Sequence, residues 1–299
     1  MMPFLSFCKE KCITVKQNEC MKNHTSFKIG GECDYFVVPE NAEQLKAVIQ
    51  KASQLEMPYF ILGKGSNLLV SDQGIEGVVI SLCGLDNITV NGQEITASAG
   101  VSVASLCTTA LENGLSGLEF AYGIPGSVGG GLYMNAGAYG GEFCDTVIRA
   151  EYLTKDGQIK EIGIKDMALG YRTSVFKTNG GVILSATFRL EKGEKAEIKA
   201  KMDDFLNRRK TKQPLEYPSS GSTFKRPTGY FAGALIEQNN LKGASVGGAK
   251  VSEKHAGFVI NYNNATANDV KALMVKIQKT VKENNGVELE PEVIFVGRK

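Results

Sequence analysis

The chain has 299 residues, 42% hydrophobic and 22% charged, with 34 basic and 32 acidic side chains and a formal net charge of +2. This excludes a low-complexity or disordered chain and a strongly basic nucleic-acid binder, and no apolar run approaches the roughly 20 residues of a membrane span. At about 150 residues per domain the length suggests two domains. Seven cysteines are too few for a disulfide scaffold, and an odd number cannot all pair within one chain, so reduced, mostly structural thiols are expected. Cys8, Cys12, Cys20 and Cys33 crowd the N-terminal region near His24, but none forms a C-x-x-C knuckle, and no metal is expected. The N-terminus shows no basic segment leading into a sustained apolar run, which points to a cytoplasmic protein without a secretory signal.

In chain order, Tyr35 to Val38 reads as a strand closed by Pro39. Ala42 to Glu56 reads as a helix capped by Asn41, with Leu45, Val48, Ile49, Ala52 and Leu55 at helical spacing. Tyr59 to Leu62 is the next strand and ends in Gly63-Lys-Gly-Ser-Asn67, the usual place for a ligand loop in α/β architecture. Leu68 stands where a dinucleotide fingerprint needs its third glycine, and no P-loop occurs. Val78 to Leu82, Ile88 to Val90 and Ile95 to Ser98 read as strands, the last two joined at Asn91-Gly92; Val101 to Asn113 reads as a helix ended by Gly114. Thr146 to Leu153 and Gln158 to Ile162 form a second hairpin, and Gly181 to Leu190 a further strand. Glu194 to Lys212 is helical and ends in Arg208-Arg-Lys-Thr-Lys212 before Pro214. That basic run either complements the helix dipole or holds phosphate. A helix from Tyr230 to Gln238, short strands at Val246 and Phe258 to Asn261, an amphipathic helix from Thr266 to Glu283 and a strand from Val293 to Val296 complete the chain.

Gly123 to Gly141 is the densest glycine segment. Glycine at this density does not suit a packed helix or strand, but it lets backbone N–H groups press against a ligand, and a diphosphate matches converging N–H donors best. The alternative is a glycine-rich surface loop, against which stand Ile124, Val128, Leu132, Tyr133 and Met134. No G-x-S-x-G surrounds Ser222, and two histidines, His24 and His255, leave little room for imidazole chemistry, which shifts hard chemistry onto a cofactor.

These motifs resemble the UDP-N-acetylenolpyruvoylglucosamine reductase family over nearly the whole chain. Gly63-Lys-Gly-Ser-Asn67, Gly123-Ile-Pro-Gly-Ser-Val-Gly-Gly130 and Asn135-Ala-Gly-Ala-Tyr-Gly140 look like flavin-binding segments of the vanillyl-alcohol-oxidase type. Tyr171-Arg-Thr-Ser-Val-Phe176, Ser219-Ser-Gly-Ser-Thr-Phe-Lys225, Lys254-His-Ala-Gly-Phe258 and Leu289-Glu-Pro-Glu-Val293 follow in family order. The resemblance implies an α+β fold: a two-part FAD-binding domain over 1–200, with subdomains of about 1–72 and 73–200, then a C-terminal α/β substrate-binding domain over 201–299 whose last strand returns to the FAD domain. It implies noncovalent FAD held by Gly63, Lys64, Gly65, Ser66, Asn67, Gly123, Ile124, Pro125, Gly126, Ser127, Gly129, Gly130, Asn135, Gly137, Ala138, Tyr139 and Val182. NADPH is the implied co-substrate and a UDP-sugar the substrate, contacted by Tyr171, Lys212, Arg226 and His255, with no nucleic acid, membrane or obligatory protein partner.

By motif, Ser222 matches the family's proton donor, Arg172 its enolate-stabilising arginine and Glu292 its catalytic carboxylate. The short segment between Tyr171 and the basic helix resembles the family's compact subtype. Ile294 departs from the pattern, since relatives often carry a basic residue there. Read singly, Arg172 also fits a surface ion pair, Ser222 a turn residue and Glu292 a solvated strand-end charge. Two other functions share the glycine segments: a different oxidoreductase on the same flavin fold, and a nucleotide-binding module without catalysis.

Overall fold

The computed structural model describes residues 3–298. The first strongly patterned helix forms as its sequence dictates: Asn41 accepts the Gln44 N–H at 2.9 Å and caps Ala42–Gln54, whose Leu45, Val48 and Ala52 are buried. Strands Thr14–Cys20, Glu32–Val38, Ile75–Ser81 and Tyr59–Leu62 form a four-stranded sheet in that order. A five-stranded antiparallel sheet runs Ile159–Gly163, Val147–Leu153, Val182–Arg189, Glu94–Ser98, Ile88–Asn91. Both expected hairpins lie in it. The tighter one turns through Gly92 at φ +59°, a left-handed conformation that glycine adopts without a Cβ clash. Among the described residues no helix is long and apolar enough to cross a membrane.

The chain divides into two compact units. The first comprises the described residues up to Lys16 with Tyr35–Lys64 and Val78–Arg209. Its core joins the Ala42–Gln54 and Val103–Glu112 helices to the five-stranded sheet, with Phe143 and Phe188 meeting edge to face at 5.3 Å. The second comprises Gln17–Asp34, Gly65–Gly77 and the chain from Lys210 onward. There the Ala267–Asn285 helix buries Val270, Leu273, Met274, Ile277 and Val281, the face its spacing specifies, in a core shared with Ala249, Val251 and Val259 of the small sheet Ser245–Val246, Ala249–Val251, Val259–Asn261. Thr266 and Asp269 close a capping box at its start, and Asp72 accepts the next N–H groups, of Ala267 at 2.7 Å and Asn268 at 3.2 Å.

Composition places one boundary near residue 200, whereas the units exchange chain at Arg209/Lys210, inside the Lys195–Lys212 helix, and the second unit recruits residues 17–34 and 65–77. The last strand, Ile294–Val296, pairs in parallel with Leu68–Val70 of that same unit. The helix Pro3–Glu10 and the strands Thr14–Cys20 and Ala249–Val251 were not legible in the residue pattern, because short or exposed elements leave little periodicity.

The glycine-rich stretch corrects the expectation drawn from its composition. Val128–Tyr133 is an α-helix through three consecutive glycines, capped by Ser127, whose hydroxyl accepts the Gly130 N–H at 3.3 Å. Tertiary crowding explains it: a Cβ on Gly129 would lie 2.8 Å from the Ala99 Cβ, and one on Gly131 2.7 Å from the Phe143 ring. Glycine here allows close approach rather than looseness. Gly131→Ala should therefore destabilise the protein by about 1–3 kcal/mol, overlap with Phe143 outweighing the gain in helix propensity of up to ~1 kcal/mol. Gly130→Ala, whose Cβ would meet only the Ser127 hydroxyl at 3.4 Å, should be neutral or stabilising. Chemical denaturation of both variants checks this, and equal losses would refute the crowding argument.

Candidate active site

The first unit holds the Gly123–Gly130 loop, Asn135, Gly137 to Tyr139, Tyr171, Arg172 and Val182, with Gly63 and Lys64 at the end of Tyr59–Leu62. A Cβ on Gly63 would come 2.6 Å from the Ser127 hydroxyl, so this glycine lets the two cofactor-type loops touch. Val103 and Val128 donate to Gly126 O and Val101 O, which pins the loop. Among the described residues the N–H groups of Gly126 and Ser127 donate to no acceptor, although Ser127 is only 2% exposed. Buried amides are nearly always paired. Donors left open in a cradle that a Cβ would fill are what a diphosphate needs. Val182 begins a strand of the five-stranded sheet and is buried.

Asn135 is fully buried with φ +43°, and its side chain is committed. Its amide donates to Glu142 Oε2 at 2.8 Å and to Gly170 O at 3.2 Å, and its oxygen accepts the Cys144 N–H at 2.9 Å. Any contact with a cofactor is thus left to its backbone. Gly170 in turn exchanges both backbone hydrogen bonds with Thr173 at 3.2 Å, which puts Tyr171 and Arg172 at the corner of a tight turn. Arg172 sits there at φ +54°, a sparsely populated conformation, and the Lys177 ammonium donates to its carbonyl at 2.7 Å. The Arg172 guanidinium lies 5.2 Å from the ring of Tyr171, which is 50% exposed. The motif resemblance singles out Arg172, whereas Lys177 and the strut role of Asn135 leave no local signal in the residue pattern.

The second unit gathers Gly65, Ser66, Asn67, Lys212, Ser222, Arg226, His255 and Glu292. Gly65 takes φ +62° with its Cα against the His24 carbonyl, where a Cβ would lie 2.1 Å from the oxygen. Asn67 donates to Glu292 O at 3.1 Å, and Ile294 N donates to Asn67 O at 3.0 Å. Glu292 N donates to Thr223 O at 2.9 Å, Phe224 bridges Pro291, and Lys225 pairs with Glu290. Thr223 also donates its N–H to Gly257 O and accepts the Val259 N–H on its hydroxyl, both at 2.9 Å. Three motifs far apart in the chain therefore meet around Thr223, which presents its neighbour Ser222, exposed after Gly221 at φ +81°. Ser26, unremarked in the sequence, ties this loop down by donating to Ser219 O at 2.7 Å. Arg226 stacks 4.0 Å over the Phe231 ring, and Lys212 is exposed at its helix end.

A family model for the C-terminal domain of UDP-N-acetylenolpyruvoylglucosamine reductase matches residues 213–296, and an FAD binding domain model matches 33–163. A UDP-N-acetylenolpyruvoylglucosamine reductase of Clostridium perfringens is 51% identical over 292 residues, covering 98% of this chain and 95% of its own. The chain belongs to the UDP-N-acetylenolpyruvoylglucosamine reductase family. Another reductase of the family, from Caldanaerobacter subterraneus, is 52% identical over 282 residues, covering 94% and 93%. The crystal structure of the Thermus caldophilus reductase superposes with a TM-score of 0.83 at 34% identity, covering 95% of this chain and 99% of that one. At 12% identity the glucooligosaccharide oxidase of Acremonium strictum shares the fold alone, with a TM-score of 0.51 over 96% of this chain and 60% of its own. This member of the reductase family is an oxidoreductase with an FAD-binding domain.

Within the reductase, His255 is half-buried, and burial holds its imidazole below the ordinary 6.5. Its Nδ1 accepts the Gly257 N–H at 3.1 Å, so the neutral ring carries its proton on Nε2 and protonation at Nδ1 would break that bond. At neutral pH the His255 ring is therefore uncharged, with its remaining donor at Nε2. The folded state binds fewer protons here than the unfolded chain, so the stability contribution is complete above 6.5 and falls as pH drops below it. NMR titration of the ring should give a midpoint under 6.5, and His255→Gln should flatten that arm of the stability profile. A midpoint at or above 6.5 would contradict the assignment.

Proposed function

We propose that the chain reduces the enolpyruvyl group of UDP-N-acetylglucosamine enolpyruvate to UDP-N-acetylmuramate, with NADPH as co-substrate and noncovalent FAD. The observation that carries the reading is the interlock of the Ser222 and Glu292 segments in the second unit, through Glu292 N to Thr223 O at 2.9 Å. An acid and a carboxylate on adjoining extended segments suit a reaction that needs both. FAD, when bound, supplies hydride transfer from NADPH to the enolpyruvyl methylene carbon. The open amides of Gly126 and Ser127 suit its diphosphate, and neither Gly63–Asn67 nor Gly123–Gly130 contains a cysteine or histidine for covalent attachment.

Arg172 is assigned to hold the negative charge that develops on the enolate and carboxylate. A guanidinium fixed before the reaction begins lowers such a barrier by several kcal/mol, and the clamped turn, Lys177 on one side and Asn135 through Gly170 on the other, supports that fixity. Glu292 is assigned to orient the enolate. Ser222 donates the proton to the carbon beside the carboxylate, a step open to a hydroxyl because that carbon is strongly basic. Tyr171, Lys212 and Arg226 are assigned to the UDP-sugar, and binding of that kind raises affinity for substrate and transition state alike.

Ser222→Ala should bind FAD and be reduced by NADPH at the wild-type rate, while anaerobic stopped-flow absorbance shows reoxidation by the enolpyruvyl substrate slowed by about 10⁴-fold, the upper end for a general acid. Ser222→Cys should recover part of the loss. Slowed flavin reduction, or unchanged reoxidation, would make Ser222 structural. Acid precipitation of the yellow protein should release all flavin to the supernatant; flavin retained on the polypeptide would overturn the noncovalent assignment.

A further inference from the structure

Within the second unit, one short turn touches both the Gly65–Asn67 end of the cofactor-type loop and the loop that carries Ser222. The segment from Thr25 to Ile29 is itself well fixed: Phe27 is fully buried, Thr25 donates its hydroxyl to Ile29 O at 3.2 Å, and the Asn261 amide donates to Phe27 O at 3.2 Å. Gly65 is seated against this turn. A Cβ on it would lie 2.1 Å from His24 O and 3.0 Å from the Thr25 Cα, and the Ser26 N–H donates to Gly65 O at 3.1 Å. Backbones packed this closely move together or not at all, so a displacement of Gly65 or Ser66 reaches Ser26.

The Ser26 side chain carries the contact onward. Its hydroxyl lies 2.7 Å from Ser219 O and 3.4 Å from Ser66 O. A hydroxyl has one proton to donate, and only the shorter distance falls in the normal range for O–H···O, so the bond goes to Ser219 while Ser66 remains in reach as a second acceptor. The loop beyond is held at its two ends. Ser219 bridges Ile260 and the Asn261 N–H donates to Pro218 O, while Thr223 is anchored through Gly257 O and the Glu292 N–H. Between them Ser220, 5% exposed, adds no side-chain support, since among the described residues its hydroxyl has no partner. Gly221 at φ +81° and the exposed Ser222 follow. Ser26 is thus the side chain that fixes the entry to the Ser222 turn. We propose that Ser26 is a positioning residue for Ser222 and couples it to the cofactor loop: a cofactor seated against Gly65 and Ser66 fixes Ser26, and Ser26 holds Ser219 so that the Ser222 hydroxyl is placed for proton delivery. The role of Ser222 rests on the proposed function; the link between the two loops does not.

Hydrogen exchange followed by mass spectrometry over residues 219–224 tests the link without turnover. In the wild-type full chain, adding FAD to flavin-stripped protein should slow exchange there roughly tenfold, within the usual range of coupling between sites. In Ser26→Ala that FAD-dependent slowing should shrink to under about twofold. Ser26→Thr, which keeps a hydroxyl on the same carbon, should recover most of it. Stopped-flow absorbance on the FAD-loaded protein reads the consequence. Ser26→Ala should be reduced by NADPH at the wild-type rate but reoxidised by the enolpyruvyl substrate roughly ten- to a hundred-fold more slowly, the scale of loss from a small misplacement of a reacting group. Thr266→Ala controls for stability alone, because it removes a hydroxyl–amide bond of 3.0 Å at a helix start elsewhere in the same unit. It should leave both half-reactions at the wild-type rate. Exchange over 219–224 that ignores FAD in the wild type, or responds equally in Ser26→Ala, would overturn the coupling. Wild-type reoxidation in Ser26→Ala, equal slowing in Thr266→Ala, or no recovery with Thr would make Ser26 a packing residue and sink the positioning role. If Ser26→Ala abolishes the exchange response while Ser222→Ala reoxidises at the wild-type rate, the proton-donor assignment fails and the link between the loops stands.

Discussion

The parallel ladder between Leu68–Val70 and Ile294–Val296 is the contact on which the arrangement of the second unit's candidate residues depends. It joins strands from opposite ends of the chain, and its edge bonds put Asn67 against Glu292 across 225 residues of sequence. No hairpin can make a parallel pair, so the chain has to travel out and return. The closure entropy grows only slowly with that length, and the apolar core around Leu69, Phe224, Val270 and Val293 is available to offset it. Register matters more than length here. A slip of one residue in Ile294–Val296 would turn each side chain to the other face and carry Glu292 away from the Ser222 segment. Ile294 is spent on this ladder by its backbone, whose N–H goes to Asn67 O; the pairing does not depend on its side chain.

In the first unit the equivalent constraint is close approach. Gly63, Gly129 and Gly131 each remove a Cβ that would collide with Ser127, Ala99 or Phe143. Such contacts are short-range and steric, so they tolerate little adjustment. They hold the capped Val128–Tyr133 helix where the preceding amides stay open. The same unit keeps Arg172 in a left-handed turn, a conformation that costs of the order of 1–3 kcal/mol and persists only when its neighbours determine it. Asn135 and Lys177 are those neighbours.

Apart from Thr146, Gln213 and Ser220, whose buried side-chain oxygens have no partner among the described residues, buried polar groups in both units are satisfied mainly by neutral hydrogen bonds rather than by ion pairs. Glu119, 7% exposed, accepts the Ser116 hydroxyl at 2.7 Å and the Gly117 N–H at 2.8 Å, just ahead of the Gly123 loop. The salt bridges Lys199–Asp203, Arg208–Asp204 and Lys279–Glu283 lie on exposed helix faces, where solvent screens them and they contribute little. Order at the candidate site therefore comes from hydrogen bonds with fixed geometry.

What the residue order determined by itself is what acts over a few residues. The caps at Asn41 and Thr266, the turn at Gly92, the buried face Val270 to Val281 and the hairpins all follow from local sterics and from apolar spacing, which the chain carries with it wherever it goes. The motifs around Ser222, Arg172 and Glu292 were legible for a different reason: their residue types and order resemble a family, and that resemblance names residues without placing them. Tertiary structure decided the rest. It made a helix of three glycines that composition read as loop, gave the second unit residues 17–34 and 65–77, and committed the Asn135 side chain to the Arg172 turn. Each of these depends on which atoms lie within a few ångströms across distant segments, and that proximity is a property of the folded chain that no local window of sequence contains.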